Sequence, residues 1–412
     1  MNILYNFGIY TYKQLVNIAS FRNLKARKMK QGHKEIFHYL AQNADPEGGY
    51  IWIHASSLGE FEQGRPIIEA IKAHYPEQKI AITFFSPSGY EVRKNYSKAD
   101  LICYLPFDLP NNVNRFLNIL KPKQAIFIKY EFWGNYLNAL AKRNIPTYII
   151  SAIFRPSQIF FRPYGGYLFF RKILQNFEHL YVQDENSKKL LKDIGITKVS
   201  VTGDTRFDRV LEIRSQAKEL PLIEQFSKEK FTLIAGSSWP KDEEIFIDYF
   251  NRHPEMKLII APHEIHEEHI QFILSRLNRT TIRYTQADEK NIQKADCIII
   301  DCFGLLSSIY RYGQVAYVGG GFGAGIHNVP EAAVYSIPVI FGPNHKKFKE
   351  AKELIIAGGG FSISKSEDFK LVMDRLLKNK EFLSKAGITA GQYIQNNSGA
   401  SKKILKELYP EI

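Results

Sequence analysis

The sequence has little of what marks a disulfide-rich or membrane-spanning protein. Its 412 residues include three cysteines, Cys103, Cys297 and Cys302, and no Cys-x-x-Cys pair. An odd number with this spacing argues against a disulfide framework and a zinc–cysteine site, and it fits a reducing compartment. Low-complexity segments are also missing. Because 45% of the residues are hydrophobic, the chain has enough apolar side chains for ordinary cores, and its length predicts two domains.

Acidic residues are too few to balance the basic ones. The chain has 55 Lys and Arg against 42 Asp and Glu, which gives a net charge of +13. This surplus indicates an anionic partner, such as nucleic acid, a phospholipid surface or a phosphorylated substrate, although part of it could simply aid solubility. No recognition-helix, RNA-binding or zinc-finger signature accompanies the charge, so we expect no nucleic acid partner.

The N-terminal residues 1–34 predict a membrane-associating helix with a basic flank. Residues 1–21 are mostly apolar or aromatic with a single charge, and six Lys or Arg follow before the first acid, Glu35. This order favours an interfacial helix or a marginal anchor over a signal peptide, and a helix packed on its own domain is the alternative. The stretch 154–172 interleaves aromatics with cations, which suits a lipid surface, nucleic acid, or a buried aromatic helix.

Short apolar runs alternate with helical segments along the rest of the chain. This rhythm predicts an α/β fold with two Rossmann-like domains, each with a parallel sheet, and an active site in the cleft between them. We expect an N-terminal domain over 35–205, a linker over 206–230 and a C-terminal domain over 231–412. The predicted strands lie at 50–54, 80–85, 101–105, 125–128, 148–150, 180–182, 199–201, 232–235, 257–260, 297–300, 315–318 and 339–341.

A glycine-rich loop follows the predicted strand 315–318. Five of the seven residues 319–325 are glycine, and Pro330 and Glu331 follow shortly afterwards at a predicted helix start. Glycines allow close approach to a phosphate, and a helix N-terminus presents free N–H groups to it. Glu331 would lie in the first helical turn, where it could accept hydrogen bonds from sugar hydroxyls. A tight turn with a capping acid is the alternative interpretation.

Three charged residues follow predicted strands of the first domain. Glu60 follows a strand and a Ser-Ser-Leu-Gly turn, where a carboxylate could act as a general base or merely as a first-turn helix acid. Glu131 and Arg206 come after two further strands. Arg206 could clamp a phosphate or stabilise developing negative charge, whereas ion pairs that order the two loops are the alternative.

In the second domain, small and polar residues follow the first two strands. Ser237 and its neighbours could receive phosphate oxygens, although Ser238 or Asp242 could serve only as a helix cap. His263 begins a histidine- and glutamate-rich stretch that lacks the His-Glu-x-x-His spacing, and no Asp-x-Asp pair occurs. We therefore expect no metal site, a metal-free mechanism, and a His263 side chain that faces the cleft.

Six motifs occur in order along the chain. They are HASSLGE at 54–60, LPFD at 105–108, EFWGN at 131–135, GDTRFD at 203–208, HNVPEAA at 327–333 and FGP at 341–343. Together they resemble the 3-deoxy-D-manno-octulosonic acid (Kdo) transferases of lipopolysaccharide synthesis, glycosyltransferase family 30. The resemblance covers nearly the whole chain.

The resemblance implies a GT-B fold and an activity. A member of this family would transfer Kdo from CMP-Kdo, its donor substrate, to the lipid A precursor lipid IVA. The transfer would invert the anomeric centre and need neither a metal nor another cofactor. The enzyme would work at the cytoplasmic face of the bacterial inner membrane. Its N-terminal domain would take the lipid acceptor and its C-terminal domain would take CMP.

The resemblance also implies roles for particular residues. Glu60 matches the catalytic base that deprotonates the acceptor hydroxyl, and Arg206 matches a basic position, usually Lys, thought to stabilise the transition state. The implied CMP site has three parts. Pro262 and His263 stand where the family has a Pro-Arg pair, and Phe303, Gly304 and Leu305 stand where it often has Met-Gly-Glu. Asn328, Val329, Pro330 and Glu331 match an Asn-x-x-Glu motif that holds the ribose and phosphate of CMP.

Three positions depart from the family pattern. Many family members carry a Glu-x-Glu motif shortly before the Trp that stands at position 133 here. In this chain Lys129 replaces the first glutamate of that motif, so any role of that glutamate is either lost or taken over by Glu131. His263 loses the bidentate donor that Arg would supply, and Leu305 cannot hydrogen-bond a nucleotide through its side chain. Two competing functions stay open. The chain could be another GT-B enzyme that uses a different nucleotide sugar, or a non-enzymatic protein that binds a membrane surface.

Overall fold

The computed structural model describes residues 2–164 and 167–412. Met1, Gly165 and Gly166, which belong to the predicted membrane-associating segments, lie outside the described residues. The chain forms two compact units, one of residues 1–209 with 398–412 and the other of residues 210–397. Each unit contains one parallel seven-stranded sheet. The expected α/β class with two Rossmann-like domains is therefore confirmed.

The first unit holds β1–β7 in the order β3-β2-β1-β4-β5-β6-β7, and the second holds β8–β14 in the order β10-β11-β9-β8-β12-β13-β14. The strands are β1 Tyr50–Ala55, β2 Ile80–Phe84, β3 Leu101–Tyr104, β4 Pro122–Ile128, β5 Thr147–Ala152, β6 His179–Val182, β7 Val199–Val201, β8 Phe231–Ser238, β9 Met256–Pro262, β10 Thr281–Arg283, β11 Cys297–Ile299, β12 Val315–Val318, β13 Val339–Phe341 and β14 Gly360–Ser362.

Helices separate most of these strands, as parallel pairing requires. In chain order they are α1 Asn2–Ala19, α2 Leu24–Asn43, α3 Leu58–His74, α4 Pro87–Arg93, α5 Pro110–Leu120, α6 Gly134–Lys142, α7 Tyr167–Leu174, α8 Glu185–Lys192, α9 Thr205–Ser215, α10 Pro221–Ser227, α11 Pro240–Asn251, α12 Glu267–Arg276, α13 Leu306–Ile309, α14 Val329–Ala333, α15 Lys349–Ala357, α16 Ser366–Lys378, α17 Lys380–Asn397 and α18 Ala400–Leu408.

The central strands are buried on both faces, which explains their nearly continuous apolar sequences. All six residues of β1 are buried, and so are the last four of β4. In the first unit, one face of the sheet packs around Trp52 and Phe127, and the other packs around Ile53, Phe61 and Ile126. Every strand predicted from the sequence is present, and β10 and β14 are additional short strands at the two edges of the second sheet.

The strand order reverses at one point in each sheet. In the first unit the reversal lies between β1 and β4, and in the second between β8 and β12. Connections leave such neighbouring strands toward opposite faces of the sheet, which opens a crevice at their carboxyl ends. Glu60 and Glu131 follow β1 and β4, while Ser237 and the glycine-rich loop lie at the ends of β8 and β12.

The predicted linker 206–230 differs from the observed structure. Most of it forms α9 and α10, and the boundary between the units falls after Arg209. The C-terminal residues 398–412 belong to the first unit rather than the second, because Ile404 and Leu405 of α18 pack against its sheet. Spacing along the chain could not indicate this return.

Helix α1 packs one face on the first unit and exposes the other. The Tyr5 hydroxyl donates to Asp108 Oδ2 at 2.6 Å and accepts from the Gly134 backbone N–H at 3.1 Å. The opposite face exposes large apolar side chains, including Ile3, which is 84% exposed, and Phe7, which is 68% exposed. Across residues 2–164 and 167–412, no helix combines the length and apolar character needed to cross a bilayer.

The side chains of the stretch 154–172 divide between the core and the surface. Phe154 and Phe160 are buried in the main core of the first unit, as the buried-helix alternative expected. Tyr164 and Leu168 are exposed, as are Arg155 and Arg162. Only the second group can meet a lipid surface.

Candidate functional site

Glu60 is positioned by the start of helix α3. Strand β1 ends at Ala55, and Ser57 then caps the helix in extended backbone geometry. The Glu60 backbone N–H donates to Ser57 Oγ at 3.5 Å, while the Ser57 N–H donates to Glu60 Oε2 at 3.2 Å. This reciprocal pair is a capping box, so the first-turn role foreseen as the alternative is real. It also fixes the direction in which the carboxylate points.

Glu60 also has the electrostatics of a general base. Burial and the negative charge of Glu131 raise the pKa of Glu60 to about 7, whereas Lys129 and the backbone N–H groups of Ser56 and Ser57 oppose that rise. A base is most effective when its pKa lies near the working pH. The Glu60 carboxylate therefore both caps helix α3 and has a raised pKa.

Glu131 is buried at the end of a chain of hydrogen bonds. Its Oε2 accepts from His54 Nε2 at 3.0 Å and from Trp133 Nε1 at 2.5 Å. His54 Nδ1 lies 2.8 Å from Thr83 Oγ1, which in turn accepts from Trp52 Nε1 at 2.8 Å. Burial would raise the pKa of Glu131, but the hydrogen bonds from His54, Ser56 and Trp133 outweigh it and hold the pKa below its usual value. Glu131 is thus an ionised neighbour of Glu60.

Sequence reasoning assigned no role to His54, Thr83 or Trp133. One signal was present, because His54 and Thr83 are polar residues within otherwise apolar strands, YIWIHA and IAITF. Both are fully buried, and a buried polar side chain needs a partner. The sequence alone could not show that these partners are each other and Glu131.

Arg206 forms the ion pair that the alternative interpretation foresaw. Its Nε donates to Asp204 Oδ2 at 2.9 Å, and a terminal nitrogen lies 2.7 Å from the same oxygen. Asp204 is buried and also accepts from Gln63 Nε2 at 2.8 Å. Burial opposes ionisation, but Arg206 and Gln63 hold the pKa of Asp204 below its usual value. The pair anchors the first turn of α9 near Tyr130, whose pKa is raised by burial, while Arg155 and then Arg206 oppose that rise.

In the second unit, Asp242 ties together the loops after β8 and β12. Its carboxylate accepts from the Trp239 N–H at 3.0 Å, the Tyr317 hydroxyl at 2.8 Å and the Gly320 N–H at 2.9 Å. A side chain on Gly319 would lie 2.3 Å from the carbonyl oxygen of Ser237. Glycine at this position therefore permits two loops to touch. Packing accounts for part of the glycine-rich sequence that was interpreted as a phosphate loop.

Three aromatic rings gather at the carboxyl edge of the second sheet. His263 stacks on Trp239 at 4.7 Å and on His327 at 4.4 Å between ring centroids. The Trp239 Nε1–H donates to His327 Nε2 at 3.1 Å. Burial and the nearby His263 lower the pKa of His327 to about 4, so it is neutral and can accept this bond. Trp239 and His327 had no predicted role, and their proximity depends on two loops far apart in sequence.

The remaining donor-site candidates lie along the same edge. Asn328 Nδ2 donates to Glu331 Oε1 at 2.6 Å, so the two polar ends of the Asn-x-x-Glu motif meet. Val329 and Pro330 between them are buried, and α14 is only five residues long. Phe303 is 79% exposed and Gly304 has a positive φ of 85°, in the loop that follows β11.

These candidates span four adjacent strands. Phe303 and Leu305 follow β11, Pro262 and His263 lie at the end of β9, Ser237 lies at the end of β8, and Asn328 follows β12. Three strand spacings cover about 15 Å. That is long enough for an extended ligand rather than for a single small ion.

No metal-binding group is formed by the part of the chain that the structure describes. Within residues 2–164 and 167–412, no three His, Cys, Asp or Glu side chains converge as metal ligands would. The histidine-rich stretch after Pro262 instead uses His269 in a buried pair with Glu243, whose nearest atoms are 2.9 Å apart. Metal independence of the reaction stays a prediction.

Comparison with known proteins gives matches along the chain. The family model described as "3-Deoxy-D-manno-octulosonic-acid transferase (kdotransferase)" matches residues 26–209. The 3-deoxy-D-manno-octulosonic acid transferase of Haemophilus influenzae is 25% identical over 94% of this chain and 93% of its own length. That of Aquifex aeolicus is 28% identical over 81% of this chain and 87% of its own length.

Solved structures of low identity share the fold. The UDP-GlcNAc 2-epimerase of Neisseria meningitidis superposes with a TM-score of 0.62 at 17% identity, covering 88% of this chain and 100% of its own. At this identity the match concerns architecture alone. It agrees with the GT-B class that the motifs implied.

Proposed function

Since this chain is a glycosyltransferase related to the Kdo transferases, we propose that it transfers Kdo from CMP-Kdo to lipid IVA in lipopolysaccharide synthesis. The reaction inverts the anomeric carbon and needs no metal. One observation carries the mechanism. Glu60 has a pKa raised to about 7 and lies at the reversal of strand order beside the ionised Glu131.

Glu60 takes the proton of the acceptor hydroxyl. The hydroxyl oxygen then forms a bond to the anomeric carbon of Kdo, while the bond from that carbon to the phosphate oxygen of CMP breaks. CMP leaves with the bonding electrons as an anion, so the added negative charge must be stabilised. Lys129, whose charge acts on Glu60, supplies a positive charge near the base.

Glu131 serves as an electrostatic partner rather than as the base. Both His54 and Trp133 donate to its Oε2, and these bonds hold it ionised. A carboxylate already stabilised in its charged form is a weak proton acceptor. Its charge instead raises the pKa of Glu60 and favours the cationic character that develops on the sugar ring as the CMP bond breaks.

The second unit binds the nucleotide. In this proposal Glu331, whose carboxylate accepts a hydrogen bond from Asn328, accepts further hydrogen bonds from the ribose hydroxyls, and Ser237 at the end of β8 contacts the phosphate. His263 replaces an Arg that the family resemblance implied, and it lies against Trp239 and His327. We infer that this aromatic cluster takes over contacts that the Arg would make.

A second candidate is a GT-B enzyme acting on a different nucleotide sugar. The specific observation in its favour is that Leu305 and His263 cannot make the side-chain contacts of Glu and Arg. Nucleotide preference separates the two candidates. Tighter binding of UDP than of CMP would favour the second one.

We also propose that the first unit docks on the cytoplasmic face of the inner membrane. The exposed face of α1 carries Ile3, Phe7, Leu15 and Ile18. Of the six basic residues that follow α1, all but the half-buried Lys28 are exposed. An apolar face with a cationic border suits an anionic lipid surface. Exposed Tyr164 and Leu168 extend the apolar surface.

The test is a transfer reaction with purified protein. CMP-Kdo, made in situ, and lipid IVA are incubated with the protein, with and without EDTA, and the lipid mass is measured. We expect a gain of one or more Kdo residues that EDTA does not abolish. Folded protein that leaves the lipid unchanged and does not bind CMP would refute the proposed reaction, and loss of the product with EDTA would refute metal independence.

A further inference from the structure

Helix α6 begins directly after Trp133, and its first turn is capped by residues from distant parts of the chain. The first N–H groups of a helix have no acceptor within it. Asp108 accepts from the backbone N–H groups of Asn135 and Tyr136, each at 3.0 Å. The N–H of Gly134, the first residue of α6, donates instead to the Tyr5 hydroxyl at 3.1 Å. Helix α1 therefore completes the cap of α6.

The contact from Tyr5 fixes the orientation of one peptide group. The N–H that it accepts belongs to the peptide bond that joins Trp133 to Gly134. Gly134 is buried, so loss of the Tyr5 hydroxyl would leave this donor without an acceptor away from water. The hydroxyl is itself held in place, because it donates to buried Asp108 at 2.6 Å. Tyr5 thus constrains the backbone from which the Trp133 side chain projects.

Trp133 connects this peptide to the proposed catalytic carboxylates. Its Nε1–H donates to Glu131 Oε2 at 2.5 Å. Its indole ring packs against Phe85 with 4.7 Å between ring centroids, and Phe85 stacks on Tyr12 of α1 at 6.1 Å. Helix α1 therefore reaches Trp133 by two routes, through the backbone from Tyr5 and through the ring of Phe85.

We propose that Tyr5 is a positioning residue for the transfer reaction, whose hydroxyl holds the Trp133–Gly134 peptide so that Trp133 keeps its hydrogen bond to Glu131. The inference rests on the proposed function, in which the charge of Glu131 raises the pKa of Glu60. Tyr5 touches no reacting atom and acts through Trp133. Helix α1 then has two roles, because its opposite face is the one proposed to dock on the membrane.

Tyr5→Phe tests this role with the loss of a single oxygen atom. The ring is kept, so its packing 5.4 Å from the Phe169 ring centroid should persist. Loss of one buried hydrogen bond should lower kcat about threefold to tenfold. Both KM values should stay within about twofold of wild type, because Tyr5 contacts no substrate. The ascending limb of the pH–rate profile should move to lower pH, since a less firmly held Trp133 leaves Glu131 less ionised and Glu60 less repelled.

Two control variants separate this role from general packing. Tyr39→Phe removes the same hydroxyl from a half-buried tyrosine of α2 and should change neither kcat nor the pH–rate limb. Asn6→Ala removes another contact between α1 and α6, in which Asn6 Oδ1 accepts from Asn135 Nδ2 at 2.8 Å. It should lower the melting temperature but leave the limb in place. A limb that moves equally in Asn6→Ala and Tyr5→Phe, or in neither, would overturn the proposal.

A measurement without substrate separates this proposal from the reaction itself. The stability that Glu60→Gln gains over Glu60 at pH 8 reports how far the pKa of Glu60 is raised. Urea unfolding should show a smaller gain when Glu60→Gln is made in Tyr5→Phe than when it is made in wild type. If the wild type transfers nothing, the proposed function fails, but this comparison still decides whether Tyr5 acts on Glu60. An equal gain in both backgrounds would refute that action.

Discussion

Replacement of Glu60 by Gln isolates its proposed chemistry from its structural role. Gln also forms a capping box with Ser57, because its side-chain oxygen can accept from the Ser57 N–H as Glu60 does now at 3.2 Å. Helix α3 should therefore start at the same residue. The variant loses only the ability to take a proton, and kcat should fall by about 10²- to 10⁴-fold, the usual contribution of a general base.

The pH dependence follows from the direction of the pKa shift. A base must be unprotonated, so the wild-type rate should rise with pH and level off above a pKa of about 7. The same pKa shift makes the folding stability fall, rather than rise, with increasing pH. The folded state keeps the Glu60 proton up to about pH 7, whereas the unfolded chain releases it near 4.5. The wild-type free energy of unfolding therefore loses a contribution as pH rises between these values.

The Gln side chain of Glu60→Gln does not titrate, so the variant does not lose this stability as pH rises. It should therefore be more stable than wild type at pH 8 and similar to it at pH 4. A shift from 4.5 to about 7 sets an upper bound of about 3 kcal/mol. Because the carboxylate is partly exposed, we expect about 1–2 kcal/mol after solvent screening. Urea unfolding at both pH values measures this difference.

Glu77→Gln provides the matched control, because Glu77 is an exposed residue just beyond the other end of α3. It should change neither turnover nor the pH dependence of stability. The assignment of Glu60 as base would be refuted by near-wild-type turnover in Glu60→Gln. A wild-type rate that shows no rise with pH near 7 would contradict the electrostatic argument.

Three further variants test the surrounding structure. His54→Phe removes a donor to buried Glu131, so the protein should lose about 2–3 kcal/mol of stability in urea. The pKa of Glu131 should rise, and the ascending limb of the pH–rate profile should move to lower pH because Glu60 is repelled less. Glu331→Ala should weaken CMP binding about tenfold by calorimetry, with little change in melting temperature. Ile3→Asn combined with Phe7→Asn should reduce cosedimentation with anionic vesicles while leaving CMP affinity unchanged.

Each of these variants has a control or a contradicting result. An unmoved pH–rate limb in His54→Phe would show that Glu131 does not govern Glu60. Glu289→Ala, an exposed acid of the second unit, should leave CMP affinity as it is. Ile356→Asn combined with Leu371→Asn replaces equally exposed apolar residues elsewhere. If it reduced vesicle binding as much as the α1 variant, a specific role for α1 would be wrong.

The architecture was predictable because parallel sheets impose a strong pattern on a sequence. Central strands such as β1 and β9 are buried on both faces, so they read as continuous apolar runs between helical segments. The edge strands β10 and β14 have three residues each and are only partly buried, so they leave no such run. The return of α18 to the first unit depends on packing between residues far apart in sequence.

Single residues of the site were predictable where they follow a strand, but their partners were not. The position of Glu60 after β1 and the capping sequence could be read directly. The contact from His54 to Glu131 crosses between strands β1 and β4, and no local pattern reports the register of that pairing. Likewise, the cluster of Trp239, His263 and His327 joins three loops.

The choice of Glu60 over Glu131 as the base follows from hydrogen bonding rather than from resemblance alone. Both carboxylates follow adjacent strands at the reversal of strand order, and each carries one ionisable proton. Glu131 receives two side-chain donors at one oxygen, whereas Glu60 is held mainly by backbone N–H groups and remains desolvated. Glu131 is therefore the ionised member of the pair, and Glu60 is the member that carries the proton that titrates near pH 7. Removing the donors to Glu131 should reverse this order, so the same two carboxylates would exchange roles if their partners were exchanged.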